Sequence, residues 1–243
     1  MKYGKVDVIQ PPYSLIDQRY KETMEFAKAN GIAVMGGMVR SIAREILTGE
    51  REPIRGIDLV NITDENGNSV ISNEKLDELS RKFMPDDYQF GHGIGNDTLE
   101  NYFSTRDFTI NQCLVKDGEL LISDIAQNDF IENIIRPTYY ELPYDWNQIS
   151  SRLFLKAIML QSVISQISDS VPLLEDIYVP NPNDSAYGDE DDGYIKVTPF
   201  NIALFLNKAM SRGAETAMIF VNSLVDWDIV NEKYIGRPMG LAR

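Results

Sequence analysis

The sequence predicts an α+β protein with two parts. Over residues 1–140, short apolar strands alternate with amphipathic helices, which indicates a sheet with helices packed on it. Over residues 141–243 every strong apolar pattern has helical spacing. A proline-bounded connector at 137–143 separates the two parts, so we predict one domain over 1–140 and a helical domain over 141–243.

The first part begins with a helix–strand–helix unit. Apolar residues at helical spacing predict a helix over about residues 14–30, and Gly31 ends it. A strand at 32–35 runs through Gly36-Gly37 into a second helix at 39–48. The buried stripe of that helix is expected at Val39, Ile42, Ala43, Ile46 and Leu47, with Gly49 as its C′ residue.

The remaining elements follow from the same two periodicities. In the first part we predict strands at 57–62, 108–115 and 119–122, helices at 73–83 and 128–133, and a two-residue turn at Asp117-Gly118. In the second part we predict helices at 145–167, 200–211 and 214–225, with a solvated acidic loop at 181–192. Thr198-Pro199 supplies an N-cap followed by proline at N1.

Charge and composition limit the function classes. The chain has 37 acidic and 23 basic residues and a formal net charge of −14, which opposes non-specific nucleic-acid binding outside a local basic patch. The single cysteine, Cys113, excludes an intrachain disulfide. No apolar signal core begins the chain, and no apolar run approaches the ~18 residues of a membrane span. We therefore expect a cytoplasmic protein with no membrane contact.

The pair Gly36-Gly37 is the first of three segments that carry chemistry. A strand, two glycines and a helix form a turn in which backbone N–H groups can approach a phosphate closely. The helix N-terminus adds a field that favours anions. By itself the segment fits a tight turn that binds nothing better than it fits a phosphate site.

Asp58 and the pair Arg106-Asp107 mark the other two segments. Asp58 lies within an apolar strand, where a carboxylate needs a polar partner or a metal unless it faces solvent at the strand end. Arg106 can pair with phosphate, and Asp107 can orient a ribose hydroxyl or Arg106 itself. Taken alone, Arg106-Asp107 is also compatible with a surface ion pair.

In this order and spacing, the three segments resemble the head domain of class II tRNA nucleotidyltransferases (CCA-adding enzymes) and bacterial poly(A) polymerases. That family has two glycines followed by Val-Arg-Asp, a strand with Asp-x-Asp-Leu-Val, and Arg-Arg-Asp-Phe-Thr-Ile-Asn. The last motif is nearly intact at 106–111, and Ser123-Asp124 and Ile134-Ile135-Arg136 are similar to its downstream motifs. The resemblance covers about residues 20–140.

The resemblance implies a nucleotidyltransferase (polymerase-β-like) fold: a mixed sheet with flanking helices in a head-like domain, then a helical neck-like domain. It implies transfer of a nucleoside monophosphate from a nucleoside triphosphate to the 3′-OH of an RNA, with carboxylates holding magnesium ions. On the matching positions, Asp58 would hold the metal and Gly36 and Gly37 would cradle phosphate. Arg40 and Arg106 would neutralise phosphate charge, and Asp107 would orient the ribose or Arg106. Arg152 and Lys156 would contact the base or the RNA.

Several motif positions depart from the family. Gly56 stands where the family has its first metal aspartate, Ser41 where it has the aspartate of Val-Arg-Asp, and Thr105 where it has the first arginine of Arg-Arg-Asp. No Glu-Asp pair precedes Arg152 and Lys156, so selection of C and then A is not expected. The acids able to replace the missing carboxylate are Asp86, Asp87, Asp97 and Glu100.

Three functions therefore remain open at this point. The first is an active nucleotidyltransferase of altered specificity in RNA processing. The second is a pseudoenzyme that binds a nucleotide, RNA or a protein without chemistry. The third is a structural component of a protein assembly that reuses the fold.

Overall fold

The structure is a computed structural model that describes residues 3–6, 18–54, 58–63, 72, 74, 98–138, 151–177, 199–227 and 229. The chain divides into two compact units, Met1–Tyr140 and Glu141–Arg243.

The first unit is built on a five-stranded sheet in the order β1-β5-β4-β2-β3, and all four pairings are antiparallel. Its described elements in chain order are β1 (Tyr3–Val6), α1 (Gln18–Ala29), β2 (Ala33–Met35), α2 (Gly37–Thr48), β3 (Asp58–Val60), α3 (Leu99–Ser104), β4 (Cys113–Lys116), β5 (Glu119–Ser123), α4 (Asp124–Ile131) and β6 (Ile134–Ile135). The predicted fold class, α+β, is confirmed. The strand β1 and its pairing with β5 were not predicted.

The helix–strand–helix unit matches its prediction closely. Gly31, in the left-handed region at φ 65°, follows α1. The helix α2 begins at Gly37, two residues earlier than predicted, and ends where Gly49 takes a left-handed conformation with its N–H donating to Glu45 O at 3.0 Å. The predicted start of the first helix lies outside the described residues.

The buried stripe of α2 differs from the prediction in its last turn. Val39, Ile42 and Ala43 are buried as expected, but Ile46 is 41% exposed. Arg44 is 1% exposed and occupies a buried position instead. A buried arginine needs carboxylate partners, and the acids of the following loop supply them.

The predicted strand at 108–115 is wrong in its first half. Phe108 forms only an isolated bridge to Pro137, and Thr109–Asn111 is a 3₁₀ helix before β4 begins at Cys113. The β-prone residues do not extend the ladder because side chains of the 3₁₀ helix make local polar bonds: Asn111 Nδ2 donates to Asp107 Oδ1 at 2.7 Å.

The hairpin between β4 and β5 is confirmed. Asp117 and Gly118 both have positive φ, 56° and 87°, as a type I′ turn requires. The next helix, predicted at 128–133, begins four residues earlier because Ser123 Oγ accepts from Ala126 N at 3.2 Å and caps it.

One face of the sheet carries a hydrophobic core. Side chains of β2, β3 and β4 and of Ile62 pack there with the two aromatic residues of α3: Ala33, Val60, Ile62, Tyr102, Phe103 and Leu114. The predicted strand at 57–62 corresponds to β3 and an isolated bridge at Ile62. The predicted helix at 73–83 falls almost entirely outside the described residues.

The second unit is helical. It contains α5 (Ser151–Ile164), the short strand β7 (Leu173–Leu174), α6 (Pro199–Met210) and α7 (Ala214–Asp226), and the three helices pack on one another. Leu153, Ala157, Leu160 and Ile164 of α5 are buried as predicted. Pro199 is the first residue of α6, as expected for proline at N1. The acidic loop at 181–192 lies outside the described residues.

Within the described parts of the chain, no helix has the length and apolar character needed to cross a membrane.

Candidate nucleotide-binding site

The turn between β2 and α2 has a backbone conformation that favours glycine. Gly36 has φ 80° and ψ −153°, a region that residues with a Cβ rarely occupy. It is the N-cap of α2 and provides no side-chain cap, while its carbonyl accepts from Arg40 N at 3.0 Å. The first N–H groups of α2 are therefore not satisfied by a capping side chain at this position, and the helix dipole favours an anion beside them.

Asp58 lies at the same end of the sheet as this turn. It is the first residue of β3 and pairs with Met35, the last residue of β2. A Cβ added to Gly36 would overlap Oδ2 of Asp58 and would lie 3.1 Å from its Cγ. The absence of a side chain at Gly36 is thus what lets the half-buried Asp58 carboxylate reach the turn.

A carboxylate beside the glycine turn between β2 and α2 limits which ligands can bind at that turn. Asp58 and a phosphate would repel each other unless a cation lay between them. Carboxylate and phosphate oxygens are hard ligands of the kind that magnesium prefers. The geometry of Gly36 and Asp58 therefore suits a phosphate accompanied by a divalent cation better than a phosphate alone.

Arg40, one turn into α2, is buried and paired with Glu52. Arg40 Nε donates to Glu52 Oε1 at 3.1 Å and Oε2 at 2.9 Å, and Nη2 donates to Oε2 at 2.6 Å. Burial would lower the pKa of Arg40, but the Glu52 carboxylate outweighs burial and the net pKa is raised. The predicted role of Arg40 against phosphate stays a prediction, and these contacts favour a supporting role instead.

Glu52 was missed by the sequence analysis. It follows α2 in a loop, and its side chain is 2% exposed. Its carboxylate also lies 3.5 Å from Nε of Arg44, so two buried arginines share it. The sequence indicates such an acid only indirectly, because two arginines on the apolar side of an amphipathic helix need a nearby carboxylate when they are buried.

Asp107 is held by the 3₁₀ helix that follows it. Its Oδ1 accepts from Phe108 N at 3.0 Å and from Asn111 Nδ2 at 2.7 Å. Asn111 Oδ1 in turn accepts from Arg40 Nη1 at 3.0 Å. This chain of hydrogen bonds joins α2 to the segment that contains Arg106 and Asp107. Its link between Arg40 and Asn111 connects residues 71 positions apart in the sequence.

Arg106 lies on the ring of Tyr102. Its guanidinium carbon is 4.2 Å from the ring centroid, and its Nε donates to Tyr102 O at 3.0 Å. Burial raises the pKa of Tyr102, with the Arg106 charge opposing and the Asp58 charge adding to that rise. The Tyr102 phenol is therefore within electrostatic reach of both Asp58 and Arg106. The sequence analysis did not single out Tyr102.

A second ion pair, between the buried Asp129 and the partly exposed Arg136, contacts the same segment. Arg136 donates to Asp129 through Nε at 3.0 Å and 2.9 Å and through Nη2 at 2.7 Å. Thr109 Oγ1 donates to Asp129 Oδ2. Asp129 is fully buried, so the 3₁₀ helix is anchored on both sides.

The remaining predicted residues lie on other elements or outside the described residues. Lys156 is half-buried on α5 of the second unit, and the side chain of Arg152 lies outside the described residues. Glu100 is exposed at the start of α3, whereas Asp86, Asp87 and Asp97 fall outside the described ranges. Among the residues that the structure describes, no group of three or more acids, histidines or cysteines is placed to hold a metal.

Comparison with solved structures gives the fold. A CCA-adding enzyme in complex with ATP matches over 94% of this chain and 56% of its own, with a TM-score of 0.54 and 15% identity. The complex of a CCA-adding enzyme with CTP matches with a TM-score of 0.53 and the same coverage and identity. A tRNA-processing enzyme in an apo form matches over 96% of this chain and 61% of its own, with a TM-score of 0.52 and 15% identity.

The fold is nucleotidyltransferase-like. At 15% identity the likeness establishes the fold and not the activity, and the chain spans 56–61% of the length of these three proteins. No protein-family model matches the sequence, and no curated protein matches it.

Proposed function

We propose that the first unit binds a nucleoside triphosphate at the Gly36–Gly37 turn and transfers its nucleoside monophosphate to the 3′-OH of an RNA. The observation that carries the proposal is the contact of Asp58 with Gly36, which puts a carboxylate against a glycine turn at a helix N-terminus. The likeness to CCA-adding enzymes bound to ATP and CTP supports the same ligand class.

The described residues fit one magnesium ion. Asp58 would supply a protein oxygen, and the triphosphate would supply others. When bound, the ion would neutralise charge on the phosphates. The described residues do not provide the carboxylate cluster of a two-metal site, so the mechanism proposed here uses no second ion.

The reaction is a substitution at the α-phosphate. The RNA 3′-oxygen forms a bond to the α-phosphorus, while the bond from that phosphorus to the bridging oxygen of the β-phosphate breaks. Pyrophosphate leaves with the electron pair, and the hydroxyl proton passes to solvent. In this proposal the backbone of Gly36 and Gly37 binds phosphate, Arg106 neutralises phosphate charge and Asp107 orients the ribose.

Arg152 and Lys156 are proposed to contact the base or the RNA, as the resemblance implies. The overall charge of −14 means that any RNA must bind at a local basic surface. The cytoplasmic location also remains a prediction.

A second function, nucleotide or RNA binding without chemistry, is favoured by one structural observation. Ser41, at the position of a family aspartate, is fully buried, and its Oγ donates to Glu52 O at 2.7 Å. It therefore cannot take over the role of an exposed metal ligand. With Gly56 at the position of the first metal aspartate, Asp58 is the carboxylate that this chain retains in the Asp-x-Asp motif.

Labelled nucleotides distinguish these functions. The full chain is incubated with each of the four labelled nucleoside triphosphates, magnesium and short RNA acceptors, and binding is measured in parallel by calorimetry. Incorporation that falls by a factor of about 10²–10³ in Asp58→Asn but not in Glu50→Gln supports transfer. Binding without incorporation supports the second function. If the chain shows no binding and no incorporation, both functions are contradicted, and the function that is left is a structural component of a protein assembly.

A further inference from the structure

We infer that Glu52 is a positioning residue for the nucleotide ribose, which acts by setting the direction of the Asp107 carboxylate. Two side chains, Arg40 and Asn111, connect Glu52 to Asp107. The inference rests on the proposed function, because it assigns the ribose to Asp107.

The first link fixes the guanidinium of Arg40. Both oxygens of Glu52 accept from it, through Nε at 2.9 and 3.1 Å and through Nη2 at 2.6 Å. A planar guanidinium held along one edge by a carboxylate has a defined plane. Its remaining nitrogen, Nη1, therefore points in one direction, and both side chains are more than nine-tenths buried.

The second link fixes the amide of Asn111. Arg40 Nη1 donates to Asn111 Oδ1 at 3.0 Å. A guanidinium has donors only, so the amide oxygen and not the amide nitrogen must face it. The opposite end of the amide, Nδ2, is thereby directed to Asp107 Oδ1 at 2.7 Å.

The third link fixes the carboxylate of Asp107. Its Oδ1 accepts from Asn111 Nδ2 and from Phe108 N at 3.0 Å. Two donors on one oxygen define the plane of the carboxylate. The direction in which Asp107 meets a ribose hydroxyl then depends on the side chain of Glu52, three hydrogen-bonded steps away, as well as on the N–H of Phe108.

A merely structural ion pair would have a different signature. Removing it would lower stability and weaken all ligands alike. Loss of positioning instead changes the preference between a ribonucleotide and its deoxy forms, because the partners of Asp107 on the ribose are its hydroxyl groups. The ratio of two affinities on one variant is insensitive to a general loss of folded protein.

The experiment compares four forms of the full chain: wild type, Glu52→Gln, Asn111→Ala and Glu50→Gln. Glu50 is the matched control, because it is the same residue type in the same loop and pairs with Arg44 Nη1 at 2.8 Å instead of Arg40. Calorimetry with magnesium measures Kd for the tightest-binding nucleoside triphosphate and for its 2′-deoxy and 3′-deoxy forms. Nuclear magnetic resonance follows the side-chain amide signal of Asn111 without nucleotide.

We expect the preference for the ribonucleotide to fall about tenfold in Glu52→Gln and Asn111→Ala and to be unchanged in Glu50→Gln. The Asn111 amide signal should shift in Glu52→Gln only. If Glu52→Gln does not fold, Asn111→Ala, which leaves the Arg40–Glu52 pair in place, must show the fall by itself. Glu52→Asp, which keeps the charge, should recover part of the preference.

An unchanged preference in a folded Glu52→Gln, or in Asn111→Ala where Glu52→Gln does not fold, overturns the inference while the proposed function stands. A wild type that binds no nucleoside triphosphate contradicts the proposed function, and the ribose role of Glu52 falls with it. The Asn111 signal then still decides whether Glu52 orients that amide, since it needs no ligand.

Discussion

The carboxylate of Asp58 occupies the space that a side chain at Gly36 would fill. Asp58 begins β3, and Gly36 directly follows the neighbouring strand β2, at the end of the sheet where α2 begins. This contact joins a potential metal ligand to a potential phosphate turn, and it requires glycine for two separate reasons: the left-handed backbone and the proximity of Asp58.

Gly36→Ala should remove nucleotide binding and lower stability. The backbone strain at Gly36 costs on the order of 1–3 kcal/mol for a residue with a Cβ, and displacement of Asp58 adds to it. Gly49→Ala is the control, because Gly49 also has φ 80° but its added Cβ would meet nothing within 4 Å. We expect Gly49→Ala to cost roughly 1–2 kcal/mol and to bind normally. Denaturant unfolding and calorimetry measure both effects, and wild-type affinity in a folded Gly36→Ala would contradict the assignment.

Tyr102 should matter to Arg106 through its ring more than through its hydroxyl. Tyr102→Phe keeps the ring under the guanidinium, so affinity for a nucleoside triphosphate should stay close to that of the wild type. Tyr102→Leu loses a cation–π contact of about 0.5–2 kcal/mol and should weaken binding accordingly. Titration of both variants with the same nucleotide decides the point. Equal affinities in the two variants would show that the stacking does not position Arg106.

Asp129→Asn should be strongly destabilising. It removes the charge that pairs with the partly exposed Arg136 and can place an amide donor against Arg136 or Thr109, a change that should cost about 1.5–3 kcal/mol. Glu45→Gln weakens a partly exposed pair with Arg51, in which the nitrogen and oxygen are 3.7 Å apart, and should cost about 1 kcal/mol. Urea unfolding monitored by circular dichroism compares them. A loss of stability in Asp129→Asn as small as that in Glu45→Gln would show that Asp129 does not stabilise the 3₁₀ helix.

Cys113 should be unreactive in the native state and should make stability fall at alkaline pH. Burial raises the pKa of its thiol from 9.0 to about 12, with Arg40 lowering it and Glu52 raising it further. The unfolded thiol loses its proton first, so the contribution of Cys113 to stability is fully present below about 9 and is lost as pH rises to about 12. Alkylation at neutral pH should require unfolding. In Cys113→Ala the decline of stability between these pH values should be shallower, and an identical decline would contradict this assignment.

The sequence predicted the parts of the site that depend on local rules. Gly36 between strand and helix, Gly49 at the end of α2 and Asp117-Gly118 at the hairpin each have a conformation that glycine or aspartate makes accessible. Asp58 could be singled out because a carboxylate in an apolar strand is costly without a partner.

The missed parts depend on contacts between distant segments. Glu52 lies in a loop, and nothing within that loop indicates that Arg40 and Arg44 will fold over it. The 3₁₀ helix at Thr109–Asn111 has a distant contact as well as its local bonds, since Thr109 donates to Asp129, 20 residues away. Local β-propensity cannot anticipate such a partner.

The most direct test of the central claim is a crystal structure of the full chain grown with a non-hydrolysable nucleoside triphosphate and manganese in place of magnesium. We expect triphosphate oxygens against the Gly36–Gly37 turn and an anomalous manganese peak on the Asp58 carboxylate. A nucleotide bound elsewhere, or a triphosphate at the turn with the manganese away from Asp58, would contradict it.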